Sequence, residues 1–275
     1  MNVNSHVFLS KEEVKEKANS VFAEKGANHV SEKYSHIPTY KVIEDMALLG
    51  WKPVDVKQVK ARKSIGFQKH LVIFRNNDIS IDGKDGDKVF PQILLTNSSD
   101  GKNAFTFMAG LFRMICENGL VVSTENFGSI KIRHIGYDFS KLNETITSMV
   151  EKLPLTIESM NKFKRTLMEE SQIVDFAVKS LTARFGENEM KRITVNYVDF
   201  VKPSRSEDAG NNLWNVFNRI QEKLIDGGFE YGFSTKVRKA RTIKNFNQDI
   251  VLNSKLFDLA FPEELAKKIN QEKII

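Results

Sequence analysis

The sequence predicts an α+β protein, with short helices and an antiparallel sheet in its N-terminal half and mainly helices in its C-terminal half. Three observations carry that expectation. Short runs of alternating apolar residues, broken by Gly, Asn and Asp, occupy residues 52–97, the pattern of strands joined by tight turns. From Asp138 onward the apolar residues recur at helical spacing instead. The aromatic residues are chiefly Phe, 20 against 5 Tyr and 2 Trp, which suits an apolar core because a buried Phe leaves no polar group unpaired. The expected partition is an α+β region over 1–138 and a mainly helical region over 139–275, whose basic tail segment covers 232–248. No Pro- or Ser-rich linker separates them, so the two regions are expected to pack on one another.

The elements follow in order. "SKEEVKEKANSVFAEKG" opens with Ser10 and Glu13 at the two positions of a capping box and reads as an amphipathic helix ending at Gly26. "IPTYKVIEDMALLG" reads as a second helix, capped by Thr39 and stopped by Gly50. "KPVDVKQVKAR" and "FQKHLVIFRN" form a hairpin across a turn at Ser64–Gly66, and its alternation places Phe74 toward a core. "FPQILLTN" is a third strand, followed by the turn "SSDGKNAF". "SKLNETITSMVEKL" puts Leu142, Ile146, Met149, Val150 and Leu153 on one helical face. "TIESMNKFKRTLMEE" and "SQIVDFAVKSLTARFG" read as two more helices, the second closed by Gly186. "NNLWNVFNRIQEKLIDGG" is a strong helix with Trp214 and Phe217 inward and Gly227 as its stop. Pro262 starts a last short helix.

Composition excludes several classes. At 41% hydrophobic and 28% charged residues over 275, the chain reads as an ordinary globular protein. No apolar run approaches the roughly 18 residues of a membrane span, and the first residues lack the basic start and apolar core of a secretory signal. One cysteine excludes an intrachain disulfide and fits a reducing cytoplasm.

Catalytic signals are few. Cys116 is the one thiol, but Leu111, Phe112, Met114 and Ile115 surround it in sequence, company that suits a small buried hydrophobe rather than a thiolate. The "ENG" after it reads as a turn into the strand "LVVS". The histidines, His6, His29, His36, His70 and His134, lie singly, without the short spacing of a metal motif. "DISIDGKDGDK" departs from the calcium-loop pattern and carries two opposing lysines. The sequence therefore predicts no catalytic residue, no metal, no cofactor and no enzyme.

The basic residues are distributed unevenly. Net charge is only +6, yet between Val56 and Asn77 six cations (Lys57, Lys60, Arg62, Lys63, Lys69, Arg75) occur with no acid. Between Tyr231 and Gln248 five more (Lys236, Arg238, Lys239, Arg241, Lys244) occur, again with none. Phe67 and Phe74 lie in the first tract, and Phe233 and Phe246 flank the second. Cations for phosphates beside rings for bases are what single-strand binding requires. The expected contact set is Lys57, Lys60, Arg62, Lys63, Lys69, Lys236, Arg238, Lys239, Arg241 and Lys244, with the second tract in an exposed strand or loop.

Four blocks carry a family resemblance: "EKYSHIPTYKVIEDMALLGWKP", "QILLTNSSDGKNAFTFMAGLFRMICENGLVV", "ARFGE" and "NNLWNVFNRIQEKLIDGG". With the basic tail "KVRKARTIKNFNQDIVLN", they resemble in order the phage, plasmid and cryptic-prophage family catalogued as domain of unknown function 932, also known as uncharacterised protein family 0380. The resemblance runs from Tyr34 to Asn253. It implies a mobile-element product acting in the cytoplasm of a bacterial host, and it brings no catalytic residues with it. The order helix, strand, strand, strand is also similar in outline to phage single-strand-annealing recombinases, an analogy at the level of fold alone.

The leading expectation is a non-enzymatic DNA-binding protein, favouring single strands, that acts in annealing or as a replication accessory and extends its groove as a homo-oligomer. The rival is a factor that binds a host defence or regulatory protein. A weaker one is an enzyme whose site is dispersed along the chain. A DNA mimic is disfavoured, since mimicry needs strong negative charge.

Overall fold

The computed structural model describes residues 8–30, 36–60, 65–82, 88–103, 105–113, 119–121, 130–132, 138–151 and 160–260. The chain divides into two units, Met1–Leu153 and Pro154–Ile275. Cys116, His6, His134, Arg62, Lys63, part of the acidic loop and the helix expected after Pro262 lie outside the described residues.

In the first unit helix α1 (Lys11–Lys17) begins as the sequence predicts. Ser10 accepts from the Glu13 backbone N–H, and the Glu13 carboxylate accepts from the N–H of Ser10. It stops earlier than expected, at Lys17, and a 3₁₀ turn (Asn19–Phe22) replaces the rest of the predicted helix. Burial explains the break: the Ser20 N–H donates to Gln58 Oε1, and its hydroxyl lies 2.9 Å from His70 Nδ1. Helix α2 (Thr39–Leu48) holds a second correction. Pro38, not Thr39, is its N-cap residue, and the Thr39 hydroxyl points inward to His70 and Asn97.

Among the described residues, seven strands form one antiparallel sheet: β1 (Lys52–Gln58), β2 (His70–Arg75), β3 (Ile81–Asp82), β4 (Lys88–Asn97), β5 (Phe105–Arg113), β6 (Gly119–Val121) and β7 (Ile130–Ile132). The main order is β1-β2-β4-β5-β6; β3 also pairs with β4 and β7 with β5. Pro91, lacking an N–H, sits where β2's pairing with β4 has ended at Gln92 and β3's has not begun at Val89. The register aligns Val56, Val72, Leu95 and Phe107 across four strands on one face, and Phe74 beside Ile93. These side chains make one core with Val42 and Met46 of α2 and with Leu142, Ile146 and Met149 of α3 (Phe139–Glu151). Helix α3 thus belongs to the first unit, and the boundary falls beyond residue 138, where the sequence turns helical.

In the second unit, residues 160–165 are helical, and Leu167 forms an isolated bridge to Asn212, so the helix expected across "TIESMNKFKRTLMEE" does not continue to its end. Helix α4 (Glu170–Phe185) ends at Gly186, as predicted. Helix α5 (Leu213–Asp226) is capped by the Asn212 side chain and buries Trp214, Phe217, Ile220 and Leu224. Phe217 lies 6.3 Å from both Phe163 and Phe176, and Phe257 of α6 (Phe246–Ala260) is 5.7 Å from Phe163. A small antiparallel sheet adds β8 (Ile193–Thr194), β9 (Glu230–Phe233) and β10 (Lys236–Lys239) in the order β10-β9-β8, and β10 lies in the tail expected as an exposed strand or loop.

Gly227 joins helix to hairpin at a point where a side chain would be strained and crowded. Its φ is +74°, and a Cβ there would stand 2.5 Å from the Ala240 carbonyl oxygen and 2.7 Å from the Arg241 carbonyl carbon. That close approach lets the Gly228 N–H donate to the Ala240 carbonyl, the Ile243 N–H to the Ile225 carbonyl and the Thr242 hydroxyl to the Asp226 carbonyl. The basic tail is thereby laced to the end of α5. Among the described residues no helix is long and apolar enough to cross a membrane, and no three His, Cys, Asp or Glu side chains gather as metal ligands would.

Candidate nucleic-acid interface

The first basic tract is dispersed by the hairpin that carries it. Lys57 is exposed on β1, but its Nζ lies 3.8 Å from an Asp55 oxygen, and Lys17 approaches the same carboxylate at 3.4 Å. The acid-free run thus begins one residue after an acid that offsets part of its charge at Lys57. Lys60 is exposed beyond the strand end. Lys69 is half-buried, and loss of water lowers its pKa. Arg75 is buried with its guanidinium 5.0 Å from the Phe90 ring centroid. Phe74 is fully buried, as its alternation predicts, and offers no face to a base.

The second tract is more concentrated. It forms the exposed strand β10, paired Lys236 to Phe233, Val237 to Gly232, Arg238 to Tyr231 and Lys239 to Glu230. Directly opposed residues share a face. Lys236 and Arg238 therefore stand with Phe233 and Tyr231, while Lys239 stands on the other face, opposite Glu230. The Arg238 guanidinium carbon lies 4.0 Å from the centroid of the Phe233 ring, and that of Arg192, just before β8, lies 4.8 Å from it. Two guanidiniums thus share one half-exposed ring. Neither makes an ion pair with an acid among the described residues, so their charge is available to an anion. Tyr231 continues the aromatic patch, 5.3 Å from Phe185 and 6.3 Å from Phe229. Phe246, expected beside these rings, is instead buried at the start of α6.

Arg184 was missed from the sequence because it sits among ordinary helical charges, although it falls in the "ARFGE" block. Its guanidinium donates to the carbonyls of Leu224 and Arg241, the latter at 2.6 Å, and covers the rings of Phe185 and Phe229. It ties α4, the end of α5 and the tail together, and burial lowers its pKa. Beside it an open groove of about 580 Å³ runs between the end of α4, the tail and the first turns of α6. Among the described residues its basic lining is Arg184, Arg241 and Lys244, and no acid lines it. Lys223, by contrast, is committed to structure: its Nζ donates to the carbonyls of Asp199, Phe200 and Lys202.

One cluster in the first unit has the residue types of nucleophilic catalysis. His70 Nδ1 is 2.9 Å from Ser20 Oγ and 3.2 Å from the Gln68 carbonyl, and Nε2 is 2.9 Å from Thr39 Oγ1. Asn97 Nδ2 donates to that same threonine oxygen. Thr39 can then donate its hydroxyl proton to Nε2, leaving the imidazole proton on Nδ1, where Ser20 and Gln68 accept it. His70 is fully buried, and desolvation, reinforced by the nearby His36 and opposed by the Gln68 bond, lowers its pKa to about 4. Such an imidazole is a weak base out of reach of substrate. Its role is to fasten the 3₁₀ turn and α2 to the sheet.

These features define an α+β chain of two units, the second of which carries exposed cations beside half-exposed rings on its small sheet and tail. A family model described as a domain of unknown function (DUF932) matches residues 27–257, and the chain belongs to that family. It is similar to UPF0380 protein YafZ of Escherichia coli (strain K12), with 30% identity over 256 residues covering 92% of this chain and 90% of the relative. UPF0380 protein YfjQ of the same strain is similar to the same extent, again 30% over 256 residues. No solved structure matches the chain.

Proposed function

We propose that the protein is a phage or mobile-element factor that binds nucleic acid, favouring single-stranded DNA, and acts in strand annealing or as a replication accessory without covalent chemistry. The observation that carries this reading is the pair of guanidiniums from Arg192 and Arg238 over the half-exposed ring of Phe233, on an edge hairpin that also presents Lys236. Cations without an ion pair among the described residues, set on half-exposed rings, suit a strand whose phosphates and bases are both accessible. Binding to 5′-labelled single- and double-stranded oligonucleotides across a salt series tests it. The triple variant Arg192→Ala, Lys236→Ala, Arg238→Ala should flatten the log–log salt slope for a single strand by about 2, at about 0.7 per phosphate lost. Lys239→Ala, on the other face, should leave the slope in place. Absence of binding to either oligonucleotide at low salt refutes the reading, as does an unchanged slope in the folded triple variant.

A second reading, a factor that binds a host protein, draws on the sheet edge. The Ala240 N–H donates to the Phe229 carbonyl, so Lys236, Arg238 and Ala240 form the hydrogen-bonded pairs with β9. The backbone groups of Val237 and Lys239 then face outward, and Val237 is 71% exposed. An extended segment of a partner pairs with edges of this kind. Recovery of one host protein by the wild type but not by Val237→Pro, with no oligonucleotide bound, would select it.

A further inference from the structure

We propose that the groove beside Arg184 is a nucleotide subsite, taking one base of a single strand against its apolar floor and the adjoining phosphates at its rim. This inference rests on the nucleic-acid reading and extends it from charge to base recognition. About 580 Å³ lies within the range of small-molecule sites. The floor is apolar: Ile243 from the tail, and Leu252 and the 53%-exposed Val251 from α6. An exposed valine beside a concave apolar surface gives a planar base a wall to lie against, with water displaced from both.

The rim supplies two kinds of polar group. Asn247 and Gln248 line the groove from the first turn of α6, and neither side-chain amide is engaged by another described residue. Each amide offers a donor and an acceptor side by side, the pattern that pairs with the edge of a base. Arg241 and Lys244 are exposed, and among the described residues no acid lines the groove to neutralise them. Arg184 is the scaffold of the site rather than a contact. Its hydrogen bonds to the Leu224 and Arg241 carbonyls fix the wall on which Arg241 is mounted.

The site separates the two parts of a nucleotide, which makes it testable on the full chain. The probes are a 5′-labelled dT12, dA12 and dC12 and a 12-mer of abasic sites, which keeps the phosphates and lacks the bases. The wild type should bind at least one homopolymer more tightly than the abasic oligomer, by about fivefold or more, the lower end of one paired base contact. Asn247→Ala with Gln248→Ala should level the order among homopolymers while preserving the salt slope. Arg241→Ala with Lys244→Ala should instead flatten the slope by about 1.4, at about 0.7 per phosphate. Both pairs lie on exposed or half-exposed positions, and an unchanged melting temperature verifies the fold. Val251→Trp, which fills the groove, should remove the advantage of the base-bearing strand and leave abasic binding intact. Equal binding of abasic and homopolymer strands overturns the subsite and leaves the nucleic-acid reading standing. Preferences that persist in both Asn247→Ala, Gln248→Ala and Val251→Trp overturn it as well. Failure of every oligomer to bind overturns both.

Discussion

The buried imidazole of His70 should make the first unit acid-sensitive in a defined pH window. Its pKa is about 4 in the folded protein, against 6.5 for an unperturbed histidine. Between these values the unfolded chain holds a proton that the folded chain lacks, so unfolding takes up a proton as pH falls. The contribution is complete above pH 6.5 and is lost as pH falls from 6.5 to 4. A slope of about 1.4 kcal/mol per pH unit, integrated over the window, amounts to about 3 kcal/mol. Because His70 is fully buried, solvent screening does not diminish that figure. The comparison is urea unfolding of the wild type and His70→Gln at steps between pH 7.5 and 4, since carboxylates that titrate below pH 5 cancel in the difference. Trp51, buried in the first unit's core, reports on that unit when Trp214 is replaced by Phe. His70→Gln should be the less stable protein at pH 7.5, having lost the bonds to Ser20 and Thr39. The gap should close by about 3 kcal/mol as pH approaches 4. A gap that does not change with pH, or a His70 ring resonance titrating near 6.5, would refute the argument that burial keeps this ring neutral.

Two further substitutions test the second unit. Gly227→Ala combines a left-handed backbone with a Cβ 2.5 Å from a carbonyl oxygen, so it should cost about 2 kcal/mol or more, read from the melting temperature; a neutral result would mean that the tail is not held against α5. Trp214→Ala removes a large side chain that is 4% exposed and should cost about 3–5 kcal/mol in chemical unfolding, with native Trp214 emission that resists external quenchers.

What the sequence makes legible is what depends on neighbours along the chain. Ser10 and Glu13 make the capping box they spell, and Gly186 and Gly227 end the helices before them. The β1–β2 hairpin follows from alternation around a glycine turn. Legibility fails where the partner is distant. Nothing near Ser20 or Thr39 says that both hydroxyls meet at His70, 50 and 31 residues away, yet that meeting shortens α1 and takes Thr39 from the cap. Asp55 diminishes the first basic tract from just outside its acid-free window, Lys69 is half-buried, and burial removes Arg75 from the surface. The second unit's sheet escapes notice because its strands are two to four residues long, too short to display a period.

The candidate interface shows the same division within four residues. That "KVRK" is basic and exposed is readable; which of its cations act together is not. A period of two puts Lys236 and Arg238 on one face and Val237 and Lys239 on the other, and a slip of one residue would exchange them. The register is set by the two-residue loop Ser234–Thr235, in which Ser234 takes the left-handed conformation at φ 57°, the geometry that matches a tight loop to the twist of its strands. Serine is a poor marker of that conformation, since glycine or asparagine adopts it at less cost. The loop therefore leaves little trace in the sequence, although it decides that Arg238 reaches Phe233. Arg192, the second cation on that ring, immediately precedes β8, which pairs with β9 of the hairpin. The charge of the interface is a property of the sequence, and its focus on one ring is a property of the register.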